Sequence, residues 1–359
     1  MSVDENQSPE SSAAVSSGQK RKSGALEWCP RKRPHGTDPL VHYGRHFGRT
    51  VHTLCTISAI MTNGLLRLAD DSDTPDEEYP PEDRRCYAVF CSLVEMMPDL
   101  KTRLSQGSAE DILHMGTLIQ KGIAAARSDD TRGLKGAILD WIIPRGEVLT
   151  PPLYRNVKHD RGFHHDRTGF LLCPAEYDWA DTEIKEQLRS GELAFSGDFW
   201  PNFVYHGYKS DAADAWSGLF RSSLLITAYK YVFTSPSSIE KEAKATRSGN
   251  ARIHGMTEVT LPSIAYIATQ VRFALSSSAI FTRNDTNTDS ERFYHSILDL
   301  FEDLEEKKEV NELKQWWDRQ IFPSKSSARP LPQNGTLAKI KERRKMLQAR
   351  SLNAQNASN

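Results

Sequence analysis

The sequence predicts a mainly α-helical protein: an irregular multi-helix globular domain with a loop-rich middle segment and disordered polar tails. Apolar side chains recur at the 3.6-residue period of helices in several separate stretches. Helix-capping residues precede some of them, as where Ser108 and Asp111 stand in capping-box spacing. Proline, which interrupts helices, follows others, at Pro98, Pro144 and Pro323.

Composition limits the class of protein. A chain of 359 residues with 38% hydrophobic content is long enough for one large or two ordinary domains with a buried core. No apolar run reaches the length of a membrane span, and the Ser-rich N-terminus lacks the apolar stretch of a secretory signal. The five cysteines form no CxxC pair. They are therefore expected to be reduced thiols of an intracellular protein.

Charge divides the chain into three parts. Residues 1–37 are rich in Ser, Gln and charged groups, are expected to be disordered, and carry a net charge of +2. Residues 324–359 comprise a Ser/Pro linker and a basic amphipathic helix at 337–352, with a net charge of +7. The total of −1 leaves −10 for residues 38–323, which are expected to form a single helical domain. Any contact with a polyanion should therefore involve the tails.

The first helical region is expected from Asp38. Apolar spacing by four and three up to Leu68 resembles a coiled-coil seam of about three heptads, and packing within the domain is favoured over a dimer. The seam consists of Phe47, Val51, Leu54, Ser58, Met61, Leu65 and Leu68. His42 and His46 share a helix face at i, i+4, a spacing that can hold a metal, but no third ligand follows.

After an acidic, proline-containing loop at 70–83, periodicity predicts helices at 84–97 and 109–127 and a short one at 132–143. The period is then lost between residues 144 and 213, apart from one short helix at 182–190. Clustered aromatic residues indicate that this irregular segment is ordered, and a recognition surface is expected here first.

A helix that is apolar on most sides is predicted at 214–233, which is typical of a buried central helix. The next helix is expected to start at Thr260 and Pro262 and to turn its apolar stripe towards the core. Thr288 and Glu291 have capping-box spacing and predict a further helix start. Its apolar positions are Phe293, Ile297, Leu300, Phe301, Leu304, Val310, Leu313, Trp317 and Ile321.

The patterns of common catalytic sites are absent: there is no Walker loop, GxGxxG, HExxH or GxSxG sequence. His159, His164, His165 and Asp166 could pair as acid and base, but no nucleophile stands beside them, and packing in a loop is favoured. No cofactor and no metal is expected.

Anion binding is predicted at two places. Inside the domain, the segment 241–255 combines glycine with Arg side chains that can donate to a phosphate, although a solvated basic loop remains the alternative. Its candidate residues are Lys244, Arg247, Arg252 and His254. The C-terminal segment adds Lys339, Lys341, Arg343, Arg344 and Lys345.

Two basic clusters in the N-terminal tail are similar to a nuclear localisation signal. They consist of Lys20, Arg21 and Lys22, and of Arg31, Lys32 and Arg33. The alternative is a solubilising tail that no receptor recognises, and the spacer is shorter than in the usual two-part signal.

Four stretches carry a resemblance to a known family: Thr168–Pro174, Phe233–Ser238, Ala245–Gly255 and Thr288–Tyr294. Over residues 40–323 the chain resembles an expanded family of uncharacterised proteins from mushroom-forming fungi, which is defined only as a domain of unknown function. The resemblance implies no activity, ligand or catalytic residue.

The first hypothesis is a non-enzymatic, mainly α-helical nuclear protein whose basic tails bind nucleic acid or the acidic surface of a partner. One alternative is a helical protein-interaction scaffold without a role on nucleic acid. The other is a metal-dependent enzyme acting on nucleic acid, with Asp198, Asp289 and Glu291 gathered around a metal pair. The oligomeric state is open.

Overall fold

Helices account for the regular structure of the chain. The computed structural model describes residues 38–69, 75, 78–193, 196–234, 249–281, 289–323, 340, 343, 344 and 346. Within these residues the only β-type pairings are two isolated bridges, Pro174 with Pro201 and Tyr205 with Leu219. The predicted mainly α-helical fold is thus confirmed. None of the helices in the described part of the chain is long and apolar enough to cross a bilayer.

The α-helices in chain order are α1 (Pro39–Thr50), α2 (Ile57–Ala69), α3 (Pro81–Met96), α4 (Leu100–Gln106), α5 (Ala109–Trp141), α6 (Asp166–Leu172), α7 (Thr182–Ser190), α8 (Ser223–Tyr229), α9 (Asn250–Ile253), α10 (Leu261–Leu275), α11 (Ser290–Glu302) and α12 (Lys307–Ile321). A π-helical turn, Lys230–Thr234, continues α8. Short 3-10 helices occupy Gly162–His164, Asn202–Val204 and His206–Tyr208.

Helix α5 is the longest helix described and joins two hydrophobic cores. Its first half packs with α1 to α4 around buried side chains that include Phe47, Met61 and Phe90. Its second half contributes Leu134 and Ile138 to a larger core that contains α8, α10, α11 and α12. A third, small cluster is formed by Cys173, Trp179 and Leu188.

The predicted break between residues 127 and 132 of α5 is wrong, whereas its start is confirmed. Ser108 and Asp111 form the expected capping box, in which each side chain accepts the other residue's backbone N–H. The polar run that indicated a break continues the helix because Asp129 and Asp130 accept hydrogen bonds from arginines of α1.

The coiled-coil seam predicted for residues 47–68 is also wrong. The helix ends at Thr50 and a second one starts at Ile57, and Ser58 and Leu68 of the expected seam are exposed. Helix α1 instead crosses α5 at very short range at Gly44, where a Cβ atom would lie 2.3 Å from the Ile119 carbonyl oxygen. Glycine is needed there because the two backbones are almost in contact.

The central helix is α10, in which every residue from Ser263 to Leu275 is buried. The sequence instead predicted a central helix over 214–233 and only a core-facing stripe on α10. In that earlier segment the helix begins at Ser223, because Gly218 and Phe220 have positive φ angles of 73° and 51° that no α-helix accommodates.

The C-terminal helices match the prediction except at their ends. Asp289, in left-handed conformation with φ 33°, occupies the N-cap position of α11 and makes no side-chain cap hydrogen bond, whereas the sequence predicted a helix start at Thr288. Thr288 lies outside the described residues. Val310, Leu313, Trp317 and Ile321 are buried as predicted, but Leu304 is 81% exposed in the break between α11 and α12.

The irregular segment 144–213 contains the predicted helix at Thr182–Ser190 and, in addition, α6. Two buried cations of this segment form hydrogen bonds with the C-terminal end of α10. Lys158 Nζ donates to the Phe273 carbonyl, and the fully buried Arg161 donates to the Ala274 carbonyl at 2.9 Å. The last carbonyls of a helix lack intrahelical donors and carry partial negative charge, so cations stabilise them.

Candidate anion-binding site

The structure covers some of the residues predicted to bind anions. Arg252 lies exposed in the short helix α9, and His254 follows it half-buried. Arg343 and Arg344 are exposed as well. Outside the described residues lie Lys244, Arg247, Lys339, Lys341, Lys345 and the six cations of the N-terminal clusters, Lys20, Arg21, Lys22, Arg31, Lys32 and Arg33.

His254 stacks on the two histidines of α1. Its ring centroid lies 4.3 Å from that of His42 and 4.2 Å from that of His46, with angles between the ring planes of 25° and 4°. The helical i, i+4 spacing places His42 and His46 on one face of α1, and α9 brings the third imidazole onto that face. We call these three residues the histidine stack.

The histidine stack does not have the geometry of a metal centre. Parallel imidazole planes hold the ring nitrogens side by side, whereas metal ligands converge on one point. Among the residues that the structure describes, no group of three or more His, Cys, Asp or Glu side chains is placed to hold a metal ion.

Two rings of the stack, those of His46 and His254, are uncharged at neutral pH. Burial, helped by the charge of Arg49 and by His42, lowers the pKa of His46 to about 4. Burial, with the neighbouring His46 and His42 next in importance, lowers the pKa of His254 to about 3. A neutral imidazole can donate a hydrogen bond to a phosphate but does not attract it by charge.

Positive charge at this surface comes from arginine. Arg45, on the same helix as His42 and His46, forms a 2.7 Å ion pair with Asp129, which offsets its charge. Arg252 is exposed on α9, two residues before His254. Arg252, rather than the neutral His254, is therefore the candidate cation at this surface.

A buried ionic network below the stack holds α1 in place. Arg49 donates from Nε and Nη2 to the two carboxylate oxygens of Asp130, at 2.7 and 2.8 Å. The Tyr266 hydroxyl donates to the same carboxylate at 2.6 Å. Burial alone would lower the pKa of Arg49, but its hydrogen bonds to Asp130 outweigh that effect and raise it. The network thus fixes the relative positions of α1, α5 and α10.

Sequence reasoning missed this network, although one signal was present. Ile119, Ile123, Ala126, Asp130, Leu134 and Ile138 follow one another at helical spacing and are all buried. A carboxylate inside such an apolar stripe requires a buried partner, because an unpaired buried charge is strongly destabilising. The partner itself, Arg49, is not indicated by any spacing.

Two of the three acids of the metal-dependent alternative make structural contacts. Asp198 forms a 2.6 Å ion pair with Arg292, and Asp289 accepts the Gly197 N–H at 3.0 Å. Both contacts fasten the loop at 196–198 to the start of α11. Asp198, Asp289 and Glu291 do not form a metal-binding group, so the geometry does not support a two-metal site at these residues.

Fold and site together define a mainly α-helical protein with two joined cores and a histidine-rich surface on α1 and α9. The chain belongs to a family of unknown function, DUF6698, whose sequence profile matches residues 121–322. The match begins inside α5 and therefore includes the larger core but not α1 to α4. No similarity to a curated protein or to a solved structure was found.

Proposed function

We propose that this chain is a non-enzymatic binding protein that contacts a polyanion, either nucleic acid or an acidic protein surface, through its basic tails. The observation that carries the proposal is the charge of +7 on residues 324–359 beside −10 on residues 38–323. A strongly basic tail on an acidic body is drawn to polyanions that the body itself repels.

The described residues of the C-terminal segment support this proposal. Arg343 and Arg344 are exposed, and neither has a carboxylate partner within ion-pair distance among the described residues. Exposed guanidinium groups can contact phosphates, which arginine binds in a bidentate manner. On the folded part, Arg252 offers a further exposed cation next to the histidine stack.

The test compares two pairs of adjacent exposed cations in the full chain. Replacement of Arg343 and Arg344 by Gln should weaken binding to a labelled DNA duplex, and the slope of log K against log salt should fall by about 1.8, or 0.9 per lost phosphate contact. The matched control replaces Lys307 and Lys308, which are exposed at the start of α12, by Gln. This control should bind like the wild type.

Full retention of duplex and single-strand binding by the Arg343/Arg344 variant would contradict the role of the tail. If binding fell instead in an Arg252→Gln variant, the folded surface on α9 would be the contact. Absence of nucleic-acid binding by the wild type would favour a protein-interaction scaffold.

We infer a nuclear location from the basic clusters Lys20–Lys22 and Arg31–Arg33, since import receptors recognise clusters of this kind. A fluorescent fusion of the full chain that stayed outside the nucleus, with or without these six cations, would contradict the inference.

A further inference from the structure

A pocket of about 380 Å³ lies between the 144–150 loop and helices α6 and α7. Its volume falls in the range of small-molecule sites, and it belongs to the irregular segment where a recognition surface was expected. Its lining combines cationic and aromatic side chains, among them Arg167, Phe170, Trp179 and Lys185, with two carboxylates, Glu147 and Asp166.

The Arg167 guanidinium is held in one orientation. Its Nε donates to the Ile142 carbonyl at 2.7 Å. The Phe170 and Tyr208 rings lie near it, with centroids 5.8 and 5.4 Å from Cζ. Neither terminal nitrogen, Nη1 or Nη2, has an acceptor in the described part of the chain. Two parallel donors are therefore available to a ligand.

No carboxylate in the described residues pairs with Arg167. The nearest acid in sequence, Asp166, is engaged by Lys185 at 3.1 Å and by Arg189 at 3.6 Å. Burial lowers the pKa of Arg167, and the charges of Tyr208 and Glu147 offset this only in part. The guanidinium nevertheless stays protonated at any physiological pH. It is a half-buried cation with no carboxylate at ion-pair distance among the described residues, and an anionic ligand would supply that contact.

The other polar groups of the pocket have distinct roles. Both ring nitrogens of His165 already have hydrogen-bond partners. Its Nε2 lies 2.8 Å from the Pro151 carbonyl oxygen, and its Nδ1 accepts the Arg167 backbone N–H. The Trp179 indole is 7% exposed, and its Nε1–H has no acceptor among the described residues. Lys185 Nζ lies 5.2 Å from the centre of the Trp179 ring. The lining also contains two carboxylates, the paired Asp166 and the exposed Glu147. Its apolar and aromatic surface comes from Leu149, Phe170 and Trp179 together with Pro144 and Val148.

We propose that this pocket binds a small organic anion, with its carboxylate or phosphate on the Arg167 fork and its apolar or aromatic part against Leu149, Phe170 and Trp179. Arginine binds both groups in a bidentate manner, and the rings bury the remainder of the ligand. This site is separate from the basic tails and stands independently of the proposed polyanion contact.

The test is calorimetric titration of the full chain with phenyl phosphate, benzoate and inorganic phosphate. We expect one site per chain that prefers phenyl phosphate or benzoate over inorganic phosphate, since only the organic anions use the aromatic wall. Arg167→Gln should weaken this binding at least tenfold. The matched control is Arg155→Gln, which removes the same charge from an exposed arginine of the same segment, and it should bind like the wild type.

A second pair of variants keeps the test decisive if Arg167→Gln does not fold. Val148 lines the pocket and is 80% exposed, so substitution there should not disturb the core. Val148→Glu should weaken binding because its carboxylate competes for Arg167, whereas Val148→Gln should not. Equal affinity of Val148→Glu and Val148→Gln, or no binding of either organic anion by the wild type, would overturn the proposal.

Discussion

At the scale of single residues, the buried cations explain how a long irregular segment stays ordered. Arg161 is fully buried and forms no ion pair among the described residues. Its terminal nitrogens donate instead to the carbonyls of Lys135, Ala274, Tyr154 and Arg155. One side chain thereby satisfies backbone acceptors from α5, from the end of α10 and from the irregular segment.

We expect Arg161→Met to destabilise the protein by about 3–5 kcal/mol, because it leaves several buried carbonyl oxygens without donors. Urea unfolding of the full chain measures the change. Arg155→Met is the control: its side chain is 64% exposed and pairs only with Asp140, so removal should change stability by about 0.5 kcal/mol or less. A similar decrease in the free energy of unfolding in both variants would show that the hydrogen bonds of Arg161 do not stabilise the irregular segment.

At the scale of helices, the contact of α1 with α5 depends on the absence of side chains. A Cβ atom at Gly44 would lie 2.3 Å from the Ile119 carbonyl oxygen, which is backbone and cannot rotate away. Gly44→Ala should therefore force the two helices apart and lower the free energy of unfolding by about 1–3 kcal/mol.

The control for Gly44→Ala is the same substitution at Gly136 of α5, where the nearest atoms to a new Cβ belong to Arg155 at 3.8 Å. These are ordinary van der Waals contacts without a clash, so Gly136→Ala should raise stability by up to about 1 kcal/mol through helix propensity. If both variants gained stability in thermal unfolding, the close approach of α1 and α5 would be refuted.

The elements that were predictable from the sequence are those fixed by local interactions. The capping box of Ser108 and Asp111 marked the start of α5 correctly, since both partners lie within one turn. Periodicity also placed α7 and the buried face of α12. It failed at residues 128–131, where Asp129 and Asp130 lie in the helix and pair with Arg45 and Arg49 of another helix.

At the scale of the whole molecule, the candidate sites arise from contacts that no local pattern contains. The i, i+4 pair of His42 and His46 was visible in the sequence, but its third partner, His254, is distant in sequence and reaches the pair only through the packing of α9 on α1. Arg167 likewise becomes a candidate anion-binding residue because the fold places no carboxylate of the described residues within ion-pair distance of it. Burial and missing partners are properties of the packed molecule.

The histidine stack makes a prediction about acid stability. In the unfolded chain His46 and His254 take up protons below about pH 6.5, whereas in the folded chain burial first, and then neighbouring positive charge, lowers their pKa values to about 4 and about 3. Between these values the unfolded state binds more protons. Stability is therefore complete above about pH 6.5 and falls as the pH decreases towards about 4.

The contribution should be about 1–2 kcal/mol for each histidine, after allowance for their partial exposure to solvent. Hydrogen-bonded carboxylates such as Asp129, whose pKa is lowered chiefly by Arg45, act in the same direction but only below about pH 4. Comparison of urea unfolding at about pH 7 and about pH 4.5 thus isolates the histidines from the acids.

His46→Phe keeps an aromatic ring in the stack but removes one titrating group, so the variant should lose about 1–2 kcal/mol less than the wild type over this pH interval. His114→Phe makes the same change at an exposed position of α5 outside the stack, and should leave the pH dependence of stability unaltered. An unchanged pH dependence in His46→Phe would mean that protonation is not linked to the stack. A reduced one would show that acid weakens the contact of α9 with α1, and with it the position of Arg252.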